Sequence, residues 1–376
     1  MSLAKVAVVG ASGLVGAALC ERLFFDGQFE PVAVLHNVGR GARLARFPMQ
    51  LRVADLLDYT QVANAVAQCD YVVNCTRDGP GVMIAGLKNL IRASREAGAK
   101  GLVHISSTAI YGDTLAPGVV TENTRTQPEN KYSQLKLRQD KLVLSSHNRN
   151  LRCLVLCPTT IYGPYSGFVL GLIDSLRQGR VPLLDGGRGP ANLIHVDNLV
   201  QAILAVIQSD HGWGELYLIN EVERMTWLQF FMDTRALLGL EHQFVPISRE
   251  HLSSLPRPVA RRSGLVDGLK VLVSGETRQA LSVFPAFRAI NAWAYEWLTI
   301  RSLRFQTLIR HHLERPIIIR KDSPRLSFDD SLVKLQTREV YYSPQKLIDK
   351  VGYSPILTYQ QQMETLGCWL EFANIR

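Results

Sequence analysis

Tyr132 and Lys136 stand four residues apart in YSQLK, and on a helix that spacing stacks them on one face. Such a pair can be a solvated surface feature. It can also move protons, because a neighbouring ammonium favours the phenolate of a side chain that otherwise titrates near pH ~10. Spacing alone leaves both readings open.

A second group lies at the start of the chain. GASGLVG sets Gly10, Gly13 and Gly16 three apart, with Ser12, Leu14 and Val15 between and beside them. KVAVVGA before it reads as a strand, and GLVGAALCERLFFDG opens a helix. Glycines at that junction allow a tight turn and let backbone N–H groups approach a pyrophosphate at the helix N-terminus. The spacing is G-x-x-G-x-x-G, not the commoner G-x-G-x-x-G. About 20 residues further on, an NAD site offers an acid to the ribose 2′-OH. Here the second strand ends at His36, and Arg40, Arg43 and Arg46 follow. Cations suit a 2′-phosphate that a carboxylate would repel, so NADP is the expected cofactor. The alternative is NAD bound without its acid, with the arginines decorating a loop.

The elements that must position these groups alternate. PVAVLH, LRVAD, DYVVNCT, GLVHISS and LRCLVLCP read as strands. Helical patterns run between them, from about Asp58 to Ala67, through GLKNLIRASREAG and through YSQLKLRQDKLVLSSH. Such βαβ alternation specifies a parallel, doubly wound sheet, and runs apolar on both faces suit strands covered on both sides.

Composition agrees with a globular protein. The chain has 376 residues, 47% hydrophobic and 20% charged, enough for two domains. Its six cysteines are scattered without C-x-x-C or a His cluster, which predicts no metal site, no disulfide framework and a reducing, cytoplasmic setting. The apolar N-terminus is interrupted by glycines and reads as strand and turn, not as a targeting segment. No stretch reaches the ~18 uncharged apolar residues of a spanning helix. The net charge is +9, and residues 256–326 hold 13 Lys/Arg against 5 Asp/Glu. Within them, 284–314 read as a helix with Phe284, Phe287, Ile290, Trp293, Trp297 and Ile300 on one stripe and arginines on the rest. An amphipathic lid over the substrate is the simpler expectation, and a peripheral membrane contact through 284–314 the sharper one. No nucleic-acid module accompanies the charge, so nucleic acid is not an expected partner.

HISSTAIYGD, a strand ending in serines, precedes YSQLK. Strand-end serine, Tyr and Lys on the next helix, and a glycine turn at the start together resemble the extended short-chain dehydrogenase/reductase family. ADLLD, NCT at 74–76, CPTTIYGP at 157–164, NLIHVDNLVQAI at 192–203 and VGYSPILTYQQQM extend the resemblance over roughly 1–240 and 335–370. It implies a Rossmann-type domain at 1–165, with a returning segment near 191–220, and a smaller α/β substrate domain at 166–376 that includes the insert 256–326. It implies a small-molecule substrate and a homodimer. Tyr132 would be the general acid/base, Lys136 would lower its pKa and hold the nicotinamide ribose, and Ser107 would bind the reacting oxygen. Ser107 is preferred to Ser106 because it lies four before Tyr111 in SSTAIYG. Asp55 and Leu56 would meet the adenine, and Cys75, Thr76 and Pro158 would also line the cofactor. Thr108, Thr160, Arg188 and Asn192 are the substrate-contact candidates, and His195 and Asp197 would pack the domain junction.

Departures from the family pattern narrow the reaction. Thr108 and Ala109 replace the acidic pair of sugar-nucleotide 4,6-dehydratases, which argues against that dehydration. Ala191 stands where many nucleotide-sugar enzymes hold a phosphate-gripping arginine, and Arg188 is displaced by three. The expected function is oxidoreduction or epimerisation at a secondary alcohol or ketone, most simply of a nucleotide sugar. A reductase of a lipophilic steroid- or flavonol-like substrate is the alternative. A non-catalytic NAD(P) sensor is the alternative of another class, and an intact Ser107, Tyr132 and Lys136 argues against it.

Overall fold

A computed structural model describes residues 3–254 and 330–375. The basic insert 256–326, with the proposed helix at 284–314, lies outside the described residues. In chain order the elements are β1 (Ala4–Val9), α1 (Leu14–Asp26), β2 (Phe29–Leu35), β3 (Gln50–Val53), α2 (Tyr59–Val66), β4 (Tyr71–Asn74), α3 (Leu87–Glu96), β5 (Gly101–Ile105), β6 (Gly118–Val120), α4 (Lys131–Ser145), β7 (Arg152–Pro158), β8 (Thr160–Tyr162), α5 (Gly167–Arg177), β9 (Pro182–Leu184), β10 (Leu193–His195), α6 (Val196–Gln208), β11 (Leu216–Ile219), α7 (Trp227–Leu237), β12 (Val245–Ile247), α8 (Arg249–Ser254), α9 (Asp330–Gln336), β13 (Val340–Tyr342), α10 (Gln345–Val351) and α11 (Tyr359–Phe372).

Seven strands form one sheet in the order β11-β7-β5-β4-β1-β2-β3, with every pairing parallel. Parallel strands joined by helices must bury both faces. β1 shows how its sequence does so. Val6 and Val8 join one apolar cluster with α1 and α6, while Ala7 and Val9 join another with α2 and α3. Each fully buried Val or Leu contributes ~1.5–3 kcal/mol. The strand order reverses at β1, which pairs with β2 on one side and β4 on the other. Loops leaving the carboxyl ends of β1 and β4 therefore part, and the crevice between them is where this architecture binds ligands.

After β7 the chain builds a second layer and returns. α6 packs on α1, and β11 completes the sheet beside β7. Trp227, Phe230, Phe231, Tyr162 and Leu366 fill a separate core between α5, α7 and α11. Asn198 of α6 ties the C-terminal segment down. Its amide oxygen accepts from the Ile356 and Leu357 N–H groups, both at 3.0 Å, and its nitrogen donates to Leu357 O and to the Glu221 carboxylate. Glu221 also accepts from His195 N at 2.8 Å. Burial pushes the Glu221 carboxyl up to about 7, against the pull of these bonds. His195 is itself buried, its ring edge-on to Tyr162, and Asp197 donates its N–H to His195 Nδ1. Among the described residues no helix is long and apolar enough to cross a membrane.

Asn198→Ala should strip donors from a buried carboxylate and leave two backbone N–H groups unpaired. The expected loss is about 3 kcal/mol or more in urea unfolding. A change below about 0.5 kcal/mol would show that the clamp is not holding the C-terminal segment.

Candidate active site

The glycine turn is shaped for close approach. Gly10 has φ +85, and a Cβ there would lie 3.1 Å from the Cys75 carbonyl carbon and 3.2 Å from Thr76 Cγ2. Its lack of a side chain lets the loops after β1 and β4 touch. A Cβ on Gly16 would fall 2.4 Å from Gly10 O, so α1 can start this close to the turn only with glycine there. Gly13 caps α1 with no side-chain bond, and no acid occupies the first turn. Ser12 and Gly13 are exposed, Leu14 is half-buried and Val15 is buried. The first N–H groups of α1 are thus left for an anion, as a pyrophosphate requires.

Beyond β2, His36 and Arg40 are exposed. Arg43 does not stand free. It forms a two-pronged pair with Glu21 at 2.9 and 2.6 Å and stacks over Tyr165. Arg46 shares the same carboxylate at 3.4 Å. Among the described residues Arg40 has no ion pair. After β3, Asp55 Oδ1 accepts from Leu57 N, and Leu56 is buried. After β4, Cys75 donates its N–H to Val9 O, and Thr76 donates its hydroxyl to Asn74 Oδ1 at 2.7 Å. Burial pushes the Cys75 thiol up to about 12.

α4 begins one residue before Tyr132, with Asn130 as its cap. Asn130 accepts from Ser133 N and Ser133 Oγ accepts from Asn130 N, a reciprocal cap that fixes where the helix starts. One turn on, Lys136 is 2% exposed and donates to Ile105 O at 2.9 Å. Burial pulls its ammonium down to about 8, while the Asp140 carboxylate pushes the other way. Burial raises Tyr132, and the Arg77 guanidinium and a hydrogen bond with Ser107 oppose it. Arg77 lies over the Tyr132 ring, 4.9 Å from its centroid. Ser107 is half-buried at the end of β5, facing Tyr132, whereas Ser106 donates to Asp140 Oδ2 at 2.7 Å. Tyr132 and Lys136 therefore sit on the strand-facing side of α4 and not on a solvated face.

The substrate candidates are spread out. Thr108 is buried beside Ser107, Pro158 ends β7, and Thr160 lies in β8. Arg188 is exposed beyond β9. Asn192 is 7% exposed, and its amide is engaged at both ends, donating to Val340 O and accepting from Asn220 and from Tyr342 N. It holds β13, which pairs in parallel with β6. Sequence reasoning weighed Ser106 only as an alternative to Ser107 and did not single out Asp140, His104 or Arg77. The signal for Asp140 was present, since it continues the four-residue spacing of Tyr132 and Lys136.

A parallel sheet with its switch point at a glycine turn, and a Tyr–Lys helix beside it, define a nicotinamide-nucleotide enzyme of the Rossmann class. The model of the NAD dependent epimerase/dehydratase family matches residues 6–219, and the chain belongs to this family, among the extended short-chain dehydrogenases/reductases. It is an NAD(P)-dependent oxidoreductase or epimerase. It is 31% identical over 259 residues to a 3-diazoavenalumate denitrifying reductase of Streptomyces sp, a match spanning 61% of this chain and 81% of that protein. It is 24% identical to YtcB, an uncharacterized UDP-glucose epimerase of Bacillus subtilis, over 60% of this chain and 79% of that one. The fold matches the crystal structure of Thermotoga maritima UDP-glucose 4-epimerase with UDP-glucose, at TM-score 0.66 and 15% identity, covering 98% and 99% of the two chains.

Gly16→Ala should force α1 away from the turn. We expect NADH and NADPH affinity, read by fluorescence titration, to fall about tenfold or more. An affinity unchanged within twofold would mean that this turn does not carry the pyrophosphate.

Proposed function

We infer that the protein interconverts a secondary alcohol and a ketone on a nucleotide sugar, with Tyr132 as general acid/base. The observation that carries this is the convergence of Ser107, Tyr132 and a buried Lys136 beside a turn that glycines keep open. A nicotinamide cofactor bound there supplies or takes up hydride. The chain's own residues do the rest. Ser107 donates to the substrate oxygen, and Tyr132 gives it a proton or takes one from it. Lys136 and Arg77 place positive charge where the phenolate would form. Residues 1–165 with the return near 191–220 would hold the cofactor, and 166–376 the substrate.

NADP is the proposed cofactor, and Arg40 is the residue proposed to hold its 2′-phosphate. His36 stands in place of the acid, and Arg43 and Arg46 are already paired with Glu21. A specific observation favours a second substrate class, a lipophilic alcohol or ketone. Ala191 is buried where an arginine would grip a diphosphate, and the 31% identical relative is a reductase with a different kind of substrate.

Arg40→Ala should weaken NADPH by about tenfold, which is one broken charge-assisted contact, and leave NADH unchanged. Equal losses for both nucleotides would remove Arg40 from the cofactor assignment. Tyr132→Phe should lower turnover about 10²–10⁴-fold with cofactor affinity kept within a few-fold. Retention of a tenth of the rate would exclude Tyr132 as the acid/base. UDP-glucose and UDP-N-acetylglucosamine should give their 4-epimers with catalytic cofactor. Stoichiometric NADPH consumption with hydrophobic ketones, and no action on the sugars, would select the second class.

A further inference from the structure

The mechanism above leaves a buried carboxylate unused. Asp140 is 1% exposed and lies one turn beyond Lys136 on α4. The two residues grip neighbouring points on one strand end. Lys136 Nζ donates to Ile105 O at 2.9 Å, and Ser106 Oγ donates to Asp140 Oδ2 at 2.7 Å. Ser107, the next residue, faces Tyr132. Three helix residues at four-residue spacing thus hold three consecutive residues at the end of β5.

Two cations could be the reason for a carboxylate here. His104 is fully buried, with Nε2 3.9 Å from Asp140 Oδ1, too far for a hydrogen bond, and neither atom has a partner. Burial and the Lys136 charge both drive His104 well below its ordinary pKa, so it stands neutral. Its Nδ1 meets Asn74 Nδ2 at 3.1 Å, which occupies that nitrogen. Lys136 is the remaining cation. The other groups around it cannot neutralise it. Cys75 at the end of β4 and Cys157 in β7 are pushed up by burial and stay protonated, Arg77 repels it, and Tyr132 is raised.

We propose that Asp140 is a positioning residue for the active site: its buried carboxylate, fixed by Ser106, is the counter-charge that lets Lys136 stand as an ammonium almost without water, one turn from Tyr132. This rests on the acid/base reading of Tyr132 and Lys136 given above. No ion pair within 4.0 Å joins Lys136 and Asp140, so the carboxylate acts through the low-dielectric interior and through the Ile105–Ser106 peptide. Burial pushes Asp140 up to about 7, with Ser106 and Lys136 pulling it down. Its charge, and with it its hold on Lys136, is therefore lost as pH falls through about 7.

The test needs no substrate. NMR of isotope-labelled lysine follows the Lys136 titration in the full chain, with the signal assigned by its loss in Lys136→Arg. Asp140→Asn should move the Lys136 midpoint down by about one pH unit or more, because one unit is the scale of a single lost charge contact. Asp140→Glu should hold it within about half a unit, because it keeps the charge. Ser106→Ala frees the carboxylate and favours its neutral form, so the midpoint should fall in the same direction by less. A folded Asp140→Asn with an unchanged midpoint overturns the proposal, as does an Asp140→Glu that shifts as far as Asp140→Asn. If Asp140→Asn does not fold, Ser106→Ala decides by the same criterion. A turnover-competent Tyr132→Phe would sink the acid/base reading and leave the Lys136 titration result standing.

Discussion

A lysine held almost out of water constrains the rest of the site. Lys136 is 2% exposed, and an ammonium in that position needs both an acceptor and a counter-charge. The acceptor is the carbonyl of Ile105, the last residue of β5. That end exists in the crevice because the sheet is parallel and reverses order at β1. The helix that delivers Lys136 must start at a fixed residue, since a shift of one position would rotate Tyr132 and Lys136 off the strand by roughly 100°. The reciprocal Asn130–Ser133 cap supplies that fixed start. Sheet order, strand end, helix cap and buried charge are four statements of one constraint.

Much of this was legible in the sequence because it depends on short spacings. Tyr132 and Lys136 are one helical turn apart, and the glycines lie within one strand–turn–helix unit. Asp140 has the same periodic signature, yet in KLRQDK it sits among charged neighbours that read as a solvated face. Only its burial separates it from them, and burial is set by β5, which lies more than 30 residues earlier in the chain. Long-range pairing hid other facts. Asn192 looks like an open polar residue beside a strand, but its amide bonds to Val340 and Tyr342, about 150 residues on. Arg43 looks free in a basic loop, but Glu21 of α1 holds it. Alternation of apolar runs carried six of the seven strands of the sheet, and β11 lay within the returning segment near 191–220 that the family resemblance implied.

The two buried carboxylates among the described residues are built alike. Asp140 and Glu221 are both pushed up to about 7 by burial, and both are held by donors from a neighbouring strand end. Glu221 supports the clamp that joins α6 to the C-terminal segment, and Asp140 lies on α4, one turn beyond Lys136.

Their titration opposes that of the buried histidines. A carboxyl raised to about 7 binds its proton more tightly folded than unfolded, so between about pH 4 and 7 rising pH costs stability. His195, lowered to about 4, and His104, lowered well below its ordinary value, bind protons less tightly folded than unfolded. For them, stability rises with pH across the window between those lowered values and about 6.5. Two groups of each kind share most of one pH window with opposite signs. Of the four, Asp140 of α4 and His104 of β5 face each other, so one such opposed pair lies beside Lys136.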